Sequence, residues 1–446
     1  MSANKKVPGK NKEKKAASAA SRLPQAVKGM HDVLPVEQPY WERVSKVVRD
    51  LADFYGFQKI DTPVLEQYAL FERGVGEGTD VVEKEMFTLK TKGGDHLALR
   101  PEGTAPVVRA YLEHGLGRLG QPQKLYFVER MFRHEAPQQY RPRQFTQADF
   151  EIIGVPNDPV FDAEIIVIAT RILEELKIKN TVLQINSIGC RVCRPAYTRQ
   201  LQAYYRQYEK SLCKDCQVRL KVRPLRLLDC KQPGCQEFKE RAPSFLDKLC
   251  AGCSGHLKAV LEYLEELAIP YTISKTLVRG LDYYSRTVFE IVPEGEYAII
   301  GTLPGGGRYD YLVETLGGRP TPAVGFAVSF ERLIAAMRLQ DVKLPEKKIK
   351  RVFVAHAGEL AKKKALRLVE DLRRAGIPAI ESLARESLGA QLKVANRENA
   401  LVAVILGQKE VYEGSIIIRD MKTGLQESYP SSRMLEELKK RLRAAE

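Results

Sequence analysis

The sequence predicts an α+β protein: a core built on an antiparallel sheet, an inserted Cys-rich segment, and a smaller C-terminal α/β domain. Strand-like stretches at residues 125–130, 145–153 and 283–292 are interspersed with helical ones, and the first two read as a long hairpin. All eight cysteines fall between residues 187 and 257. Beyond a Lys-rich stretch with Pro345, near residues 339–350, short apolar strands flank an amphipathic helix. At 446 residues the chain exceeds one ordinary core, so two or three domains are expected.

From the N-terminus, residues 1–22 read as a disordered basic tail carrying Lys5, Lys6, Lys10, Lys12, Lys14 and Lys15. The tail has no apolar stretch of the kind a secretory signal needs. Tyr40, Val44, Val47, Val48, Leu51, Phe54 and Tyr55 then fall on one helical face, and Gly56 closes the helix. Residues 59–65 read as extended, with Pro63 at an edge or turn. Residues 145–153 alternate with period two, placing Gln147, Asp149 and Glu151 on one face and Ala148, Phe150 and Ile152 on the other. In residues 283–292 the same period puts Tyr283 and Tyr284 on opposite faces. Past the boundary, residues 352–355 and 401–406 read as strands. Between them lie a helix bearing Leu366, Val369 and Leu372, closed by Gly376, and an extended 377–380. The expected domains are 23–186 with 258–340 as the core, 187–257 as the insertion and 350–446 as the C-terminal domain.

Hydrophobic content of 44% with 28% charged residues describes a soluble globular chain, and no apolar run is long enough to span a bilayer. A cytoplasmic location is the default expectation. The net charge of +15 suits a polyanionic partner such as RNA, although DNA or an anionic membrane surface would be attracted equally.

Several residues carry chemistry. Arg133-His134-Glu135, with Arg141 and Arg143 in the hairpin loop, concentrates guanidiniums whose fixed fork of donors suits phosphate. The polar strand face opposite could equally be solvated, as in any half-buried strand. In Arg100-Pro101-Glu102-Gly103-Thr104 a carboxylate, a glycine and a hydroxyl could hold an ammonium group; the plainer reading is a turn and a helix capped by Thr104. Gly305-Gly306-Gly307 would let backbone approach a ligand, or form an ordinary loop. No Lys-Ser/Thr ending follows, so this is not a P-loop. The stretch from Ala323 to Leu333 reads as a strand running into a helix that carries Arg332, a second phosphate-binding arginine.

The cysteines form four pairs, Cys190/Cys193, Cys213/Cys216, Cys230/Cys235 and Cys250/Cys253, three of them Cys-x-x-Cys. In a chain of this class that spacing points to structural Zn²⁺, with the combination of pairs left open. Disulfides and free thiols are the alternatives.

Jointly, these segments resemble the histidyl-tRNA synthetases, a family of class II aminoacyl-tRNA synthetases. Gly29-Met30-His31-Asp32-Val33-Leu34-Pro35 and the helix after it resemble the family's opening and motif 1. Phe132-Arg133-His134-Glu135 with Arg143-Gln144-Phe145-Thr146-Gln147 resembles motif 2, and the stretch from Gly325 to Arg332 resembles motif 3. Arg279-Gly280-Leu281-Asp282-Tyr283-Tyr284 and Gly305 to Asp310 are similar to the two elements specific to histidine. The resemblance spans nearly the whole chain after the tail.

It implies an ATP-dependent histidine–tRNA ligase with Mg²⁺, dimeric through motif 1, partnered by histidine tRNA through a C-terminal anticodon-binding domain where Lys393 and Arg397 flank Asn396. Histidine would be bound by Glu102, Gly103, Thr104, Arg133, Gln147, Glu151, Arg279, Tyr283 and Tyr284, with Arg133 and Arg279 catalytic. ATP would be bound by Arg133, Glu135 and Arg332. The hairpin loop departs from many bacterial members: Ala136 replaces a basic residue, and Tyr140-Arg141-Pro142-Arg143 stands where they have Gly-Arg-Tyr-Arg. Two other readings are a catalytically inactive regulatory paralogue of histidine biosynthesis and a pure RNA-binding module. The first typically lacks the Arg279 element and the C-terminal domain; the second predicts erosion of Glu102, Gln147, Glu151 and Tyr284. All of these are present.

Overall fold

The computed structural model describes residues 24–136, 138–345 and 350–444. The basic tail expected over residues 1–22 lies outside the described residues. The chain divides between Leu344 and Pro345 into two compact units.

The first unit is organised on an eight-stranded sheet. Its strands are β1 (Gln58–Lys59), β5 (Gln123–Phe132), β6 (Gln144–Ile153), β7 (Thr181–Ser187), β8 (Tyr271–Ile273), β9 (Ser285–Pro293), β10 (Gly305–Arg308) and β11 (Ala323–Ser329). Their order is β1-β5-β6-β11-β10-β9-β7-β8, antiparallel throughout except for one parallel strand at each edge. A separate three-stranded sheet runs β2 (Leu65–Gln67), β4 (His96–Leu99), β3 (Thr88–Lys90).

The predicted hairpin is present as β5 and β6, with Gln123 opposite Ile153 and Phe132 opposite Gln144. Period two sorts β6 as expected. Ala148, Phe150 and Ile152 pack with the helices Gln38–Phe54, Val160–Glu175 and Phe330–Leu339 in the largest core cluster, leaving Gln147, Asp149 and Glu151 on the other face. Between β7 and β9 runs a series of helices, from Arg194–Arg206 to Ala251–Glu266, with all the cysteines in them or in the turns that flank them.

Four expectations need correction. Val44, Val47, Val48 and Leu51 bury one face of the helix Gln38–Phe54, but Phe54 is 83% exposed. It is the last residue of the helix and, about 20° beyond Val47 at 100° per residue, lies at the margin of that stripe. Residues 59–65 are not one strand: β1 and β2 join different sheets, with Pro63 between them. Tyr283 and Tyr284 precede β9 rather than alternate within it, and their rings lie 4.7 Å apart. The three glycines form strand β10, not a loop. A Cβ on Gly306 would lie 2.1 Å from the Gly325 carbonyl, and one on Gly307 would lie 2.3 Å from the Thr287 carbonyl. Gly306 and Gly307 admit neighbouring strands, while Gly305 admits the Arg279 side chain beside the cavity it lines.

The second unit has a five-stranded sheet, β13 (Ala379–Glu381), β12 (Arg351–Ala357), β14 (Ala400–Gly407), β15 (Ser415–Asp420) and β16 (Gln426–Pro430), in that order. β12 is parallel to β13 and β14, and β15 and β16 continue antiparallel. The helix Glu359–Arg374 buries Ala361, Ala365, Val369 and Leu372, whereas Leu366 is 56% exposed, so small alanines do the packing expected of a leucine. Among the described residues, no helix is long and apolar enough to cross a membrane.

Candidate active site

Glu151 is the deepest group of the site. It sits mid-strand on β6 opposite Gly325 of β11, fully buried. A Cβ on Gly325 would lie 1.7 Å from its Oε2, so glycine is required there. Its carboxyl accepts hydrogen bonds from the hydroxyls of Thr104 (2.7 Å) and Tyr309 (2.5 Å). Burial pushes its pKa up to about 8, against the lowering effect of those two donors. Glu102 is also buried. It accepts from the backbone N–H groups of Thr104 and Ala105, both at 3.0 Å, and from the Tyr283 hydroxyl at 3.3 Å. Glu102 thus caps the helix Thr104–Glu113, whose N-cap position is Gly103; Thr104 is not the cap, and its hydroxyl turns into the site instead. A Cβ on Gly103 would lie 2.1 Å from the Phe127 ring. Gln147 Oε1 is buried without a hydrogen-bond partner among the described residues.

Cations form the opposite wall. Arg133 follows β5, and its Nε donates to the Pro101 carbonyl at 2.8 Å while the guanidinium lies over the Phe145 ring. Its contact with Glu135 is long, 4.0 Å, as is that of Arg141 with Glu135, 3.7 Å. Arg279 pairs with Glu290 on β9 and lies 5.6 Å from the Tyr284 ring centre. Burial acts to lower the Arg279 pKa, but Glu290 outweighs it and holds it above the ordinary arginine value. A Cβ on Gly305 would lie 2.7 Å from Arg279 Nη1. Arg332, in the helix after β11, donates to the carbonyls of Thr302 (2.7 Å) and Tyr140 (3.4 Å) and has no carboxylate partner among the described residues. Burial, then Arg141 and Arg133, bring its pKa down to about 10. Arg133, Glu135, Gln147, Arg279 and Arg332 line one cavity. Glu102, Gly103, Thr104, Glu151, Tyr283 and Tyr284 are buried beside this cavity rather than in its lining, joined to it where Arg279 lies over the Tyr284 ring and Arg133 donates to Pro101.

Two participants escaped the sequence reading. Tyr309, the donor to Glu151, sits immediately after β10. Glu290, the partner of Arg279, is a lone acid within Val288-Phe289-Glu290-Ile291-Val292, and that break in an apolar strand was the available signal. Tyr140 carries φ +62°, a left-handed conformation unusual for a residue with a side chain.

Behind the site, buried Arg308 pairs with buried Asp162, which also meets His256 Nε2 at 3.2 Å. Burial acts to raise the Asp162 pKa, but Arg308 and His256 bring it down to about 2.

The eight thiols gather into two clusters, Cys190/Cys193/Cys250/Cys253 and Cys213/Cys216/Cys230/Cys235, each with all Sγ atoms within 4.8 Å. Four sulfur pairs stand 3.8–3.9 Å apart. Four thiolates about 2.3 Å from a tetrahedral Zn²⁺ would be separated by ~3.8 Å. In the second unit, Lys393, Asn396 and Arg397 are exposed on the helix Leu388–Arg397, with Arg397 paired to Glu398 at 3.2 Å.

An antiparallel sheet bearing buried carboxylates on its open face and arginines from the hairpin and the strand–helix motif defines the class II aminoacyl-tRNA synthetase fold. The sequence profile described as histidyl-tRNA synthetase matches residues 29–333, and that of an anticodon-binding domain matches residues 351–441. A histidine–tRNA ligase of Dehalococcoides mccartyi is 48% identical over 420 residues, 94% of this chain and 100% of its own length. One from Pelotomaculum thermopropionicum is 44% identical over 417 residues, 93% and 97% of the two chains. The apo S. aureus histidyl-tRNA synthetase structure superposes with TM-score 0.77 at 33% identity, covering 93% of this chain and 99% of its own. The chain belongs to the histidyl-tRNA synthetase family. A Bacillus halodurans protein described as an ATP phosphoribosyltransferase regulatory subunit/histidyl-tRNA synthetase shares the fold, with TM-score 0.60 at 22% identity over 86% of this chain and 98% of its own.

Proposed function

We propose that this protein is an ATP-dependent ligase that activates L-histidine as histidyl-adenylate and transfers it to the 3′ end of histidine tRNA. The observation that carries the reading is the pair of buried carboxylates, Glu102 and Glu151, bonded to Thr104 beside a cavity lined by Arg133, Arg279 and Arg332. Glu102, Thr104 and the unpartnered Gln147 oxygen hold the amino group, with Gly103 and Tyr283 completing that side. Glu151 and Tyr284 read the imidazole nitrogens. A pocket built around such groups rejects side chains that leave them unpaired.

Arg133 and Arg279 clamp the carboxylate and the α-phosphate. The histidine carboxylate oxygen attacks the α-phosphorus, the bond to the β-phosphate oxygen breaks, and pyrophosphate leaves. A terminal ribose hydroxyl of the tRNA then attacks the carbonyl carbon and AMP departs. No enzyme nucleophile is needed; the arginines stabilise charge as it develops, in a largely dry site. Arg332 holds the outer phosphates. Mg²⁺, when bound with the nucleotide, neutralises phosphate charge, and the loosely held Glu135 carboxylate is an oxygen donor suited to it.

Structural Zn²⁺ is held by Cys190, Cys193, Cys250 and Cys253 and by Cys213, Cys216, Cys230 and Cys235; the tetrahedral sulfur spacing supports this. Residues 187–257 form an insertion domain that leans on the tRNA acceptor arm, set into a core of 23–186 with 258–340, and 350–446 read the anticodon. The protein is a cytoplasmic homodimer joined through the motif 1 region, where Leu34, Val36 and Phe54 expose apolar surface.

The deciding experiment is ATP–pyrophosphate exchange with each of the twenty amino acids and Mg²⁺. Exchange with histidine alone is expected. No exchange from folded, dimeric protein would overturn the reading in favour of a regulatory paralogue.

A further inference from the structure

We propose that the inner cysteine cluster, Cys213/Cys216/Cys230/Cys235, fastens a strap of residues 219–231 across the mouth of the adenylate site, and that Lys231 at its end binds the outer phosphates of ATP. This rests on the ATP and Zn²⁺ readings above and adds a residue to the first. The strap lies between the two halves of the cluster, so four thiols gathered within 4.8 Å fix both its ends.

Its arginines tie it to both walls of the site. Arg219 donates to Asp80 at 2.7 Å and Arg226 to the same carboxylate at 3.3 Å, which anchors it to the Gly78-Thr79-Asp80 segment. Arg226 also donates to the Arg279 carbonyl at 3.3 Å, and Arg223 pairs with Asp282, which anchors it to the segment that carries Arg279 and Tyr284. Arg226 is held in turn by Asp229 at 3.1 Å. The chain then enters the cluster at Cys230, and the next side chain, Lys231, lines the cavity with Arg141 and Arg332.

The charge count at that end calls for an anion. Lys231 has no hydrogen bond or ion pair among the described residues, and Arg332 bonds only to carbonyls. Of the nearby carboxylates, Asp229 is committed to Arg226 and Glu290 to Arg279 and Thr302, while Glu135 makes only long contacts to Arg133 and Arg141. Three cations that repel one another in the free protein would be brought into register by a triphosphate. A lysine supplies a compact positive charge that adapts to phosphate without demanding one geometry.

The test uses the full-length, zinc-loaded protein with Lys231→Gln and Lys231→Arg. Lys231→Gln should raise the KM for ATP in histidine-dependent pyrophosphate exchange by about tenfold or more, the loss expected of one hydrogen bond to a charged group, with the KM for histidine near the parent value. Lys231→Arg should recover most of the loss, and native mass spectrometry should find two Zn²⁺ per chain in both variants.

An unchanged KM for ATP in Lys231→Gln overturns the phosphate role. So does an equal rise in both KM values, and so does a defect confined to the KM for tRNA in aminoacylation, which would assign the cation to RNA phosphate. Cys230→Ser should lose one metal ion and hydrogen-exchange protection over 219–231, while strand β6 stays protected. Unchanged protection, or protection lost throughout, overturns the fastening. A parent protein without histidine-dependent exchange would sink the proposed function instead, a result read before any variant is made.

Discussion

Glu151 is an acid that keeps its proton. Its pKa of about 8 leaves it mostly neutral at pH 7, because burial penalises the charge more than Tyr309 and Thr104 relieve it. The native state therefore binds more protons than the unfolded chain between the ordinary value of 4.5 and about 8. The stability this group contributes is fully present below pH 4.5 and is lost as pH rises through about 8. Glu151→Gln removes that dependence. Its melting temperature should gain on the parent steadily from pH 5 to pH 9, measured without histidine by scanning calorimetry, and histidine-dependent exchange should be abolished. A constant difference across that range would show that burial does not hold the proton.

Strand β10 shows how a site is held from behind. Arg308, at its end, buries a guanidinium against Asp162 on the helix Val160–Glu175, and His256 on the helix Ala251–Glu266 completes the pair. Removing Asp162 leaves buried Arg308 with only its longer contact to Asp310, 3.4 Å, so Asp162→Asn should cost about 3 kcal/mol in urea unfolding. Asp162 is depressed to about 2, so its contribution is present above the ordinary 3.8 and lost as pH falls through 2. The variant should show a shallower acid limb than the parent. A urea midpoint within error of the parent would mean the network carries no net stability.

The strand β10 itself was illegible in the sequence. Three glycines carry no strand signal, and their reason lies in the neighbours: the Arg279 side chain and the β9 and β11 backbones come too close for any Cβ. β5 and β6 were legible because alternation of core and polar faces is a local pattern. Tyr283, Tyr284, Phe54 and Leu366 were misplaced because each lies where a periodic element ends or one face gives way to another. Strands β15 and β16 were not predicted at all; β16 is mostly exposed and polar, so nothing apolar alternates along it. At the site, family motifs identified Glu102, Tyr283 and Arg279, but Glu290, which holds the Arg279 charge, lies outside those motifs and is brought to it only by the fold.

At the scale of the whole molecule, the apolar residues Leu34, Val36 and Phe54 stay exposed, at 55%, 80% and 83%. If the motif 1 region joins two copies, Phe54→Asp should convert dimer to monomer in light scattering behind size exclusion, with the thermal unfolding of each chain retained as a separate transition. A dimer unaffected by that charge would move the interface elsewhere. The outer cluster acts at this scale too. Cys190 and Cys193, just past β7, meet Cys250 and Cys253, at the start of the helix Ala251–Glu266, with sulfurs 3.8 Å apart across sixty positions of sequence. With metal bound, a chain pulled from its two ends would carry the load straight across those thiolates. About 200 Å of extended contour would stay hidden from the pulling force. A ribosome, an unfoldase or an optical trap would meet a shorter tether than the residue count suggests; most of the missing length would be released when the outer metal let go, and the stretch between Cys216 and Cys230 only when the inner one followed.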